Sequence, residues 1–219
     1  MAKVRKIYRR PVGSKNHFVV DANFLANRFI PVASAPDAQQ QARIAACGDW
    51  WEEIDAQLRL GRARVYIPDI CIAETFKVLA KKYYVDKWFR TPVELNNARN
   101  RLRKLITTPT STLRAATRRI RYHDVSTTRD IVISVDRFYE LFLKHNLKVS
   151  LPDLIVVASA KYLVDFYDIP RSSLHIVTLD RQLRAGSKSI QELPNAYDPT
   201  ENSDARSRVF AESKAVPAA

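Results

Sequence analysis

Glycine is scarce in this chain of 219 residues: only Gly13, Gly48, Gly61 and Gly186 occur. No two are near enough for a G-x-G turn, so a glycine-lined loop for a dinucleotide or nucleotide phosphate is excluded. Cysteine is scarcer still. Cys47 and Cys71 alone cannot build a Cys-rich zinc site. The four histidines, His17, His123, His145 and His175, lack the paired spacing of imidazole ligands. No run of about 18 apolar residues is present, so no membrane-spanning helix is expected. The N-terminus is basic, but its first apolar stretch, His17–Val20, stops at Asp21, unlike a secretory signal. Together these absences point to a soluble, cytoplasmic protein with reduced thiols.

Positive charge is abundant. Lys and Arg number 36 against 23 Asp and Glu, a formal net charge of +13, which favours a polyanionic partner because each neutralised phosphate releases counterions. A basic surface also suits an acidic protein. Residues 1–16 carry six basic side chains and no acid, and read as a flexible basic arm. From about residue 196 the chain turns to Asn, Asp, Pro, Ser and Ala and reads as a loose tail. Residues 17–195 remain as one domain, long enough for a sizeable core.

Within that domain short apolar runs alternate with helical patterns. Phe18-Val19-Val20, Val65-Tyr66-Ile67 and Ile176-Val177-Thr178-Leu179 read as buried strands. Residues 37–60 read as a helix on the recurrence of Ile44, Trp51, Ile54 and Leu58, with Gly61 just past its end. Residues 69–84 form another. Thr91-Pro92-Val93-Glu94 is a capping box opening a helix whose Leu95, Ala98, Leu102 and Leu105 share a face. Ile131, Val135, Phe138 and Phe142 mark a helix starting near 126–128, and Ser150-Leu151-Pro152-Asp153 opens the next. The alternation predicts an α/β fold with a parallel sheet covered on both faces.

The acids fall where such a sheet binds ligands, outside the carboxyl ends of its strands. Asp21 and Asp180 follow strands directly, and Glu74 lies one turn into the helix that begins at Asp69. Asp153 shares a helix face with Val156, Val157, Ala160 and Val164, so its carboxylate points the way the buried stripe points, which is costly without compensation. Each acid also has a purely structural use. Asp21 and Asp180 suit helix N-caps, Asp153 suits a first-turn dipole, and Glu74 can pair with Lys77.

Four segments carry a family resemblance: Val19-Val20-Asp21-Ala22-Asn23, Pro68-Asp69-Ile70-Cys71-Ile72-Ala73-Glu74, Leu151-Pro152-Asp153 and Val177-Thr178-Leu179-Asp180. In order they resemble a PIN domain, the nuclease fold of VapC-type toxins and related ribonucleases. Two departures stand out. The stretch from Glu74 to Asp153 is long, and Arg181-Gln182-Leu183 replaces the glycine and phenylalanine usual after the last Asp. The resemblance implies a three-layer α/β/α sandwich around a parallel sheet, with extra helices between Glu74 and Asp153. It implies a metal-dependent endoribonuclease whose Asp21, Glu74, Asp153 and Asp180 are both the catalytic and the metal-binding residues. Oxygen-only ligands suit Mg²⁺ or Mn²⁺, and Asn23 and Thr178 would orient carboxylates and water. It further implies RNA before DNA, a homodimer, and an inhibitory antitoxin as protein partner if the chain is a toxin.

Phosphate binding needs positive charge nearby. Residues 99–121 hold Arg99, Arg101, Arg103, Lys104, Arg114, Arg118, Arg119 and Arg121 and no acid, and read as a nucleic-acid track or a solvated basic face. Tyr83, Tyr84, Trp88 and Phe89 beside it suit base stacking or the core. Two other functions compete. One is a non-catalytic nucleic-acid-binding module on the same fold. The other is a haloacid-dehalogenase-type phosphatase, and Asn23 argues against it because that chemistry uses Asp-x-Asp.

Overall fold

The computed structural model describes residues 15–107, 122–201 and 203–211. In chain order they form β1 (Asn16–Val20), α1 (Ala22–Asn27), α2 (Ala38–Arg59), β2 (Ala63–Pro68), α3 (Asp69–Tyr84), α4 (Pro92–Ile106), β3 (Tyr122–Val125) and α5 (Arg129–Lys144). There follow α6 (Leu151–Tyr167), β4 (Leu174–Val177), α7 (Arg181–Ser189), β5 (Asn195–Tyr197) and α8 (Ser203–Ala211). The five strands make one sheet in the order β3-β2-β1-β4-β5, and every pair is parallel. β1 and β4 are buried at every residue and β2 at every residue but Arg64. A strand buried on both its alternating side-chain sets has both faces covered, as a parallel sheet requires.

The local signals work as their chemistry predicts. Asp37, Thr91, Thr128 and Ser150 each accept a backbone N–H in the first turn of α2, α4, α5 and α6. Gly61 takes a positive φ of 70° just beyond α2, a conformation that costs glycine nothing. Thr91 bonds Glu94 N–H, but the Glu94 carboxylate reaches back to Arg90 N–H rather than to the cap itself. The apolar stripes are buried as read: Ile44, Trp51, Ile54 and Leu58 in α2, and Ile131, Phe138 and Phe142 in α5.

Three expectations change. The late strand ends at Val177; the Thr178 N–H still donates to the Tyr197 carbonyl at 3.0 Å, while its hydroxyl donates to Asp21 and accepts the Asp180 N–H. The tail expected from residue 196 instead completes the sheet with β5 and adds α8. Val209 and Phe210 are buried, the Phe210 ring lies 5.2 Å from Trp50 and 5.8 Å from Phe18, and the Asn16 amide donates to the Val209 carbonyl at 2.9 Å. Trp88 and Phe89 are buried in the core, which removes them from any base-stacking surface; Tyr84 is exposed. Arg114, Arg118, Arg119 and Arg121 lie outside the described residues, as does most of the basic arm.

Between Glu74 and Asp153 the described residues add α4, β3 and α5. No helix among them is long and apolar enough to cross a membrane.

Candidate functional site

The sheet order reverses direction at β1. From it the chain moves outward through β2 to β3 on one side, and β4 and β5 continue on the other. Such a switch point leaves a crevice outside the carboxyl ends of the two adjoining strands, here β1 and β4. Their register is level, Val20 facing Val177, so Asp21 and Thr178 come next on each strand. The Asp21 N–H donates to the Val177 carbonyl at 3.1 Å.

Asp21 is buried and fully engaged. One carboxylate oxygen accepts the Phe24 N–H at 2.7 Å and caps α1; the other accepts the Thr178 hydroxyl. Thr178 in turn accepts the Asp180 N–H at 2.9 Å, so a single hydroxyl ties the first acid to the last. Asp180 caps α7 through Leu183 N–H at 2.7 Å. Asp153 completes a capping box with Ser150 at the start of α6, using only its Oδ2. α6, which opens with Asp153, packs on β1, β2, β4 and on α3, the helix of Glu74. All three aspartates therefore hold the cap roles that their sequence context allowed, and hold them at one end of one sheet.

The acids sense one another. Burial pushes the Asp21 carboxyl up to about 6 against the Thr178 and Phe24 hydrogen bonds, and the Asp153 charge adds to the rise. Burial and then Asp153 raise Glu74, while Lys77 opposes. Burial raises Asp153, Ser150 opposes, and Asp180 adds to the rise. Desolvation leads in each case and mutual repulsion follows. Among the described residues no Lys or Arg forms a salt bridge with any of the four.

Charge and donor type thus fit a hard cation: four carboxylates, three with raised proton affinity, and no salt-bridged base. The spacing is open. Among the described residues no group of three or more His, Cys, Asp or Glu side chains closes into a metal-holding set. Two oxygens of Asp153 and Asp180 are free of the hydrogen bonds that fix the caps, and a bound ion would draw on these.

Asn23 is exposed on α1 and makes no hydrogen bond to the four acids. Asp69 is committed elsewhere. Burial raises its carboxyl, but bonds from Thr127 and Ile70 outweigh this and hold it below the usual carboxylate range, tying α3 to the loop before α5. Of the basic track, Arg101, Arg103 and Lys104 are exposed on α4 and Arg99 is half-buried. Arg101 lies 5.7 Å from the Phe29 ring and Arg103 5.6 Å from the Phe76 ring. Ser150, expected only to open its helix, also holds the Asp153 carboxylate through its hydroxyl and backbone N–H.

No known family matches the chain, and no curated protein does. Its fold is similar to that of a chain in the structure of FitAcB from Neisseria gonorrhoeae, at 14% identity and a TM-score of 0.50, covering 84% of this chain and 99% of that one. A chain in the structure of FitAB bound to an IR36 DNA fragment matches at 14% identity and TM-score 0.50, covering 84% and 96%. A chain in the structure of VapBC2 from Rickettsia felis bound to a DNA fragment from their promoter matches at 9% identity and TM-score 0.48, covering 83% and 98%.

The expected membership of the PIN family is corrected by these comparisons: no family matches, and the similar structures bear the names FitAcB and FitAB. The physical reason is plain in the caps. Asp21 and Asp180 cap helices that follow strands and Asp153 completes a capping box, so local helix-start chemistry alone accounts for three of the four motif positions.

Proposed function

We propose that the protein hydrolyses nucleic-acid phosphodiester bonds with a divalent cation held by Asp21, Glu74, Asp153 and Asp180. What supports this is the mutual electrostatic influence of four acids around the β1–β4 switch point, three with raised proton affinity and none in a described salt bridge. Mg²⁺ or Mn²⁺ suits the all-oxygen donors and would supply the positive charge that a scissile phosphate and an attacking water require. Asp21 is fixed by Thr178 and by the first turn of α1, so it presents its charge without rotamer freedom. Asp153 is anchored through Oδ2 alone and keeps Oδ1 for the ion. Glu74, half-buried on α3 and raised by the Asp153 charge after burial, would be the ligand from the α3 side.

Net charge favours nucleic acid over a small phosphate ester, and FitAB, a similar fold, is known bound to a DNA fragment. The exposed Arg101, Arg103 and Lys104, with Arg99, belong to this reading as a backbone track. The preference for RNA rested on the family resemblance and loses that support, so RNA and DNA are equal arms of the test. A protein partner, the antitoxin of a toxin–antitoxin pair, belongs to the same proposal.

The open spacing of the acids favours a second reading, a nucleic-acid-binding module without catalysis. Purified protein incubated with labelled RNA and DNA in Mg²⁺, Mn²⁺ or chelator, beside Asp21→Asn, separates the two. Cleavage that needs metal and is lost in the variant supports the hydrolase. Binding without cleavage supports the module. Equal cleavage by the variant, or in chelator, removes the assignment of these acids.

A further inference from the structure

A cleft of about 590 Å³ lies against the acidic site, with Gln39, Arg43 and Ala46 of α2 on one wall and Leu179, Asp198 and Thr200 on the other. Its size is that of an ordinary ligand pocket. Connectivity places it. β1 and β2 are parallel, so α2 must run from the carboxyl end of the sheet back to the amino end, and its first turns flank the acids. Gln39, Arg43 and Ala46 recur at four and three residues and so share one helix face.

The cleft and the acids are continuous. Leu179 stands between Thr178 and Asp180 in the chain and also lines the cleft. Cys47, next to Ala46 on α2, is buried, and the Asn27 side chain donates to its sulfur at 3.5 Å. The cleft's own acid is already committed: Asp198 pairs with Arg184 at 2.9 Å and accepts from Thr200. Arg43 is exposed and, among the described residues, in no salt bridge. It is a cation in the lining of a cleft whose opposite wall includes Leu179, the residue between Thr178 and Asp180, and it shares its helix face with an amide and small residues.

From this geometry we infer that the α2 cleft is the subsite for the nucleotide next to the scissile bond, with Arg43 holding its phosphate. The inference rests on the proposed reading of the acidic site and adds where the substrate strand enters it. A planar guanidinium matches a phosphate with two parallel hydrogen bonds, which a lysine ammonium cannot reproduce. Gln39 and Thr200 supply neutral donors and acceptors beside it. The small Ala42 and Ala46 leave the width that a sugar and base need.

The test uses the full chain with Arg43→Ala, Arg43→Lys and, as control, Arg59→Ala, which removes an exposed arginine at the far end of the same helix. Affinity for labelled single-stranded RNA and DNA is measured in chelator over a salt series, and cleavage is measured with Mn²⁺. Arg43→Ala is expected to bind roughly tenfold more weakly and to flatten the log–log salt slope by about 0.7. Its cleavage should show a raised KM with kcat largely kept, the mark of lost ground-state binding. Arg43→Lys should recover the salt slope but only part of the affinity. Equal behaviour of Arg43→Ala and Arg59→Ala overturns the subsite. If wild type binds but never cleaves and Arg43→Ala still binds more weakly, Arg43 holds a nucleotide phosphate, but the hydrolase reading fails and with it the place beside a scissile bond. If wild type neither binds nor cleaves, both fail.

Discussion

Asp21→Asn should stabilise the metal-free protein, and the gain should depend on pH. The Asp21 carboxyl is raised from 3.8 to about 6 by burial. At about 1.4 kcal/mol per pH unit, ionising it in the folded state costs about 3 kcal/mol. The sign follows from proton binding. Below about pH 4 the carboxyl is protonated in folded and unfolded chains alike, and the variant gains nothing. Between about pH 4 and 6 the folded state holds the proton more tightly, so wild-type stability falls as pH rises; above 6 the whole penalty applies. Asparagine keeps the oxygen that accepts the Phe24 N–H, so the α1 cap survives. Urea unfolding in chelator should therefore show the variant ahead by about 2–3 kcal/mol at pH 7.5, roughly 4–12 °C in Tm for a chain of this size, and level with wild type below pH 4. Added Mg²⁺ should close the gap, because it stabilises only a folded state that binds it. A variant less stable than wild type at pH 7.5, or a gap that does not change with pH, refutes the reasoning.

Other perturbations follow from the same structure. Thr178→Val keeps the shape of a fully buried side chain but removes the hydroxyl that Asp21 and Asp180 share; the Asp21 carboxyl should rise further, and the pH midpoint of metal-dependent cleavage should move up with it. Gly186→Ala should cost about 1–3 kcal/mol by chemical denaturation, because a Cβ there would come within 2.3 Å of the fully buried Phe142 ring. Arg184→Ala strands Asp198, which is 7% exposed and pairs with it at 2.9 Å; a loss of about 3–5 kcal/mol is expected, and stability recovers in part when Asp198→Asn is added.

Most elements were legible because their signals are local. The α3 boundaries 69–84 match, α2 differs from its expected span by one residue at each end, and the caps Thr91, Thr128 and Ser150 declare their helices. What escaped depends on distant partners. β5 is three residues long and β3 four, and neither carries a long apolar run; they are strands because β4 and β2 hold them. α8 buries Val209 and Phe210 in an otherwise polar segment, and only the proximity of Trp50 and Phe18 makes them core. The four acids were visible as strand-end and core-facing carboxylates. The same positions serve as helix caps, which is why their order resembled a family that the comparisons do not support. Arg43 follows three glutamines with no motif to mark it, and only the return of α2 along the sheet brings it to the cleft that Leu179 lines.

Mn²⁺ titration followed by electron paramagnetic resonance, on wild type and Asp153→Asn, tests the acidic site most directly. Asp153 is the acid that raises both Asp21 and Glu74 and is raised by Asp180. The account predicts saturable binding of Mn²⁺ by wild type and its loss or severe weakening in the variant, with the fold retained. Wild type that leaves Mn²⁺ free in solution, or a variant that binds it equally well, contradicts the claim that these carboxylates hold a cation.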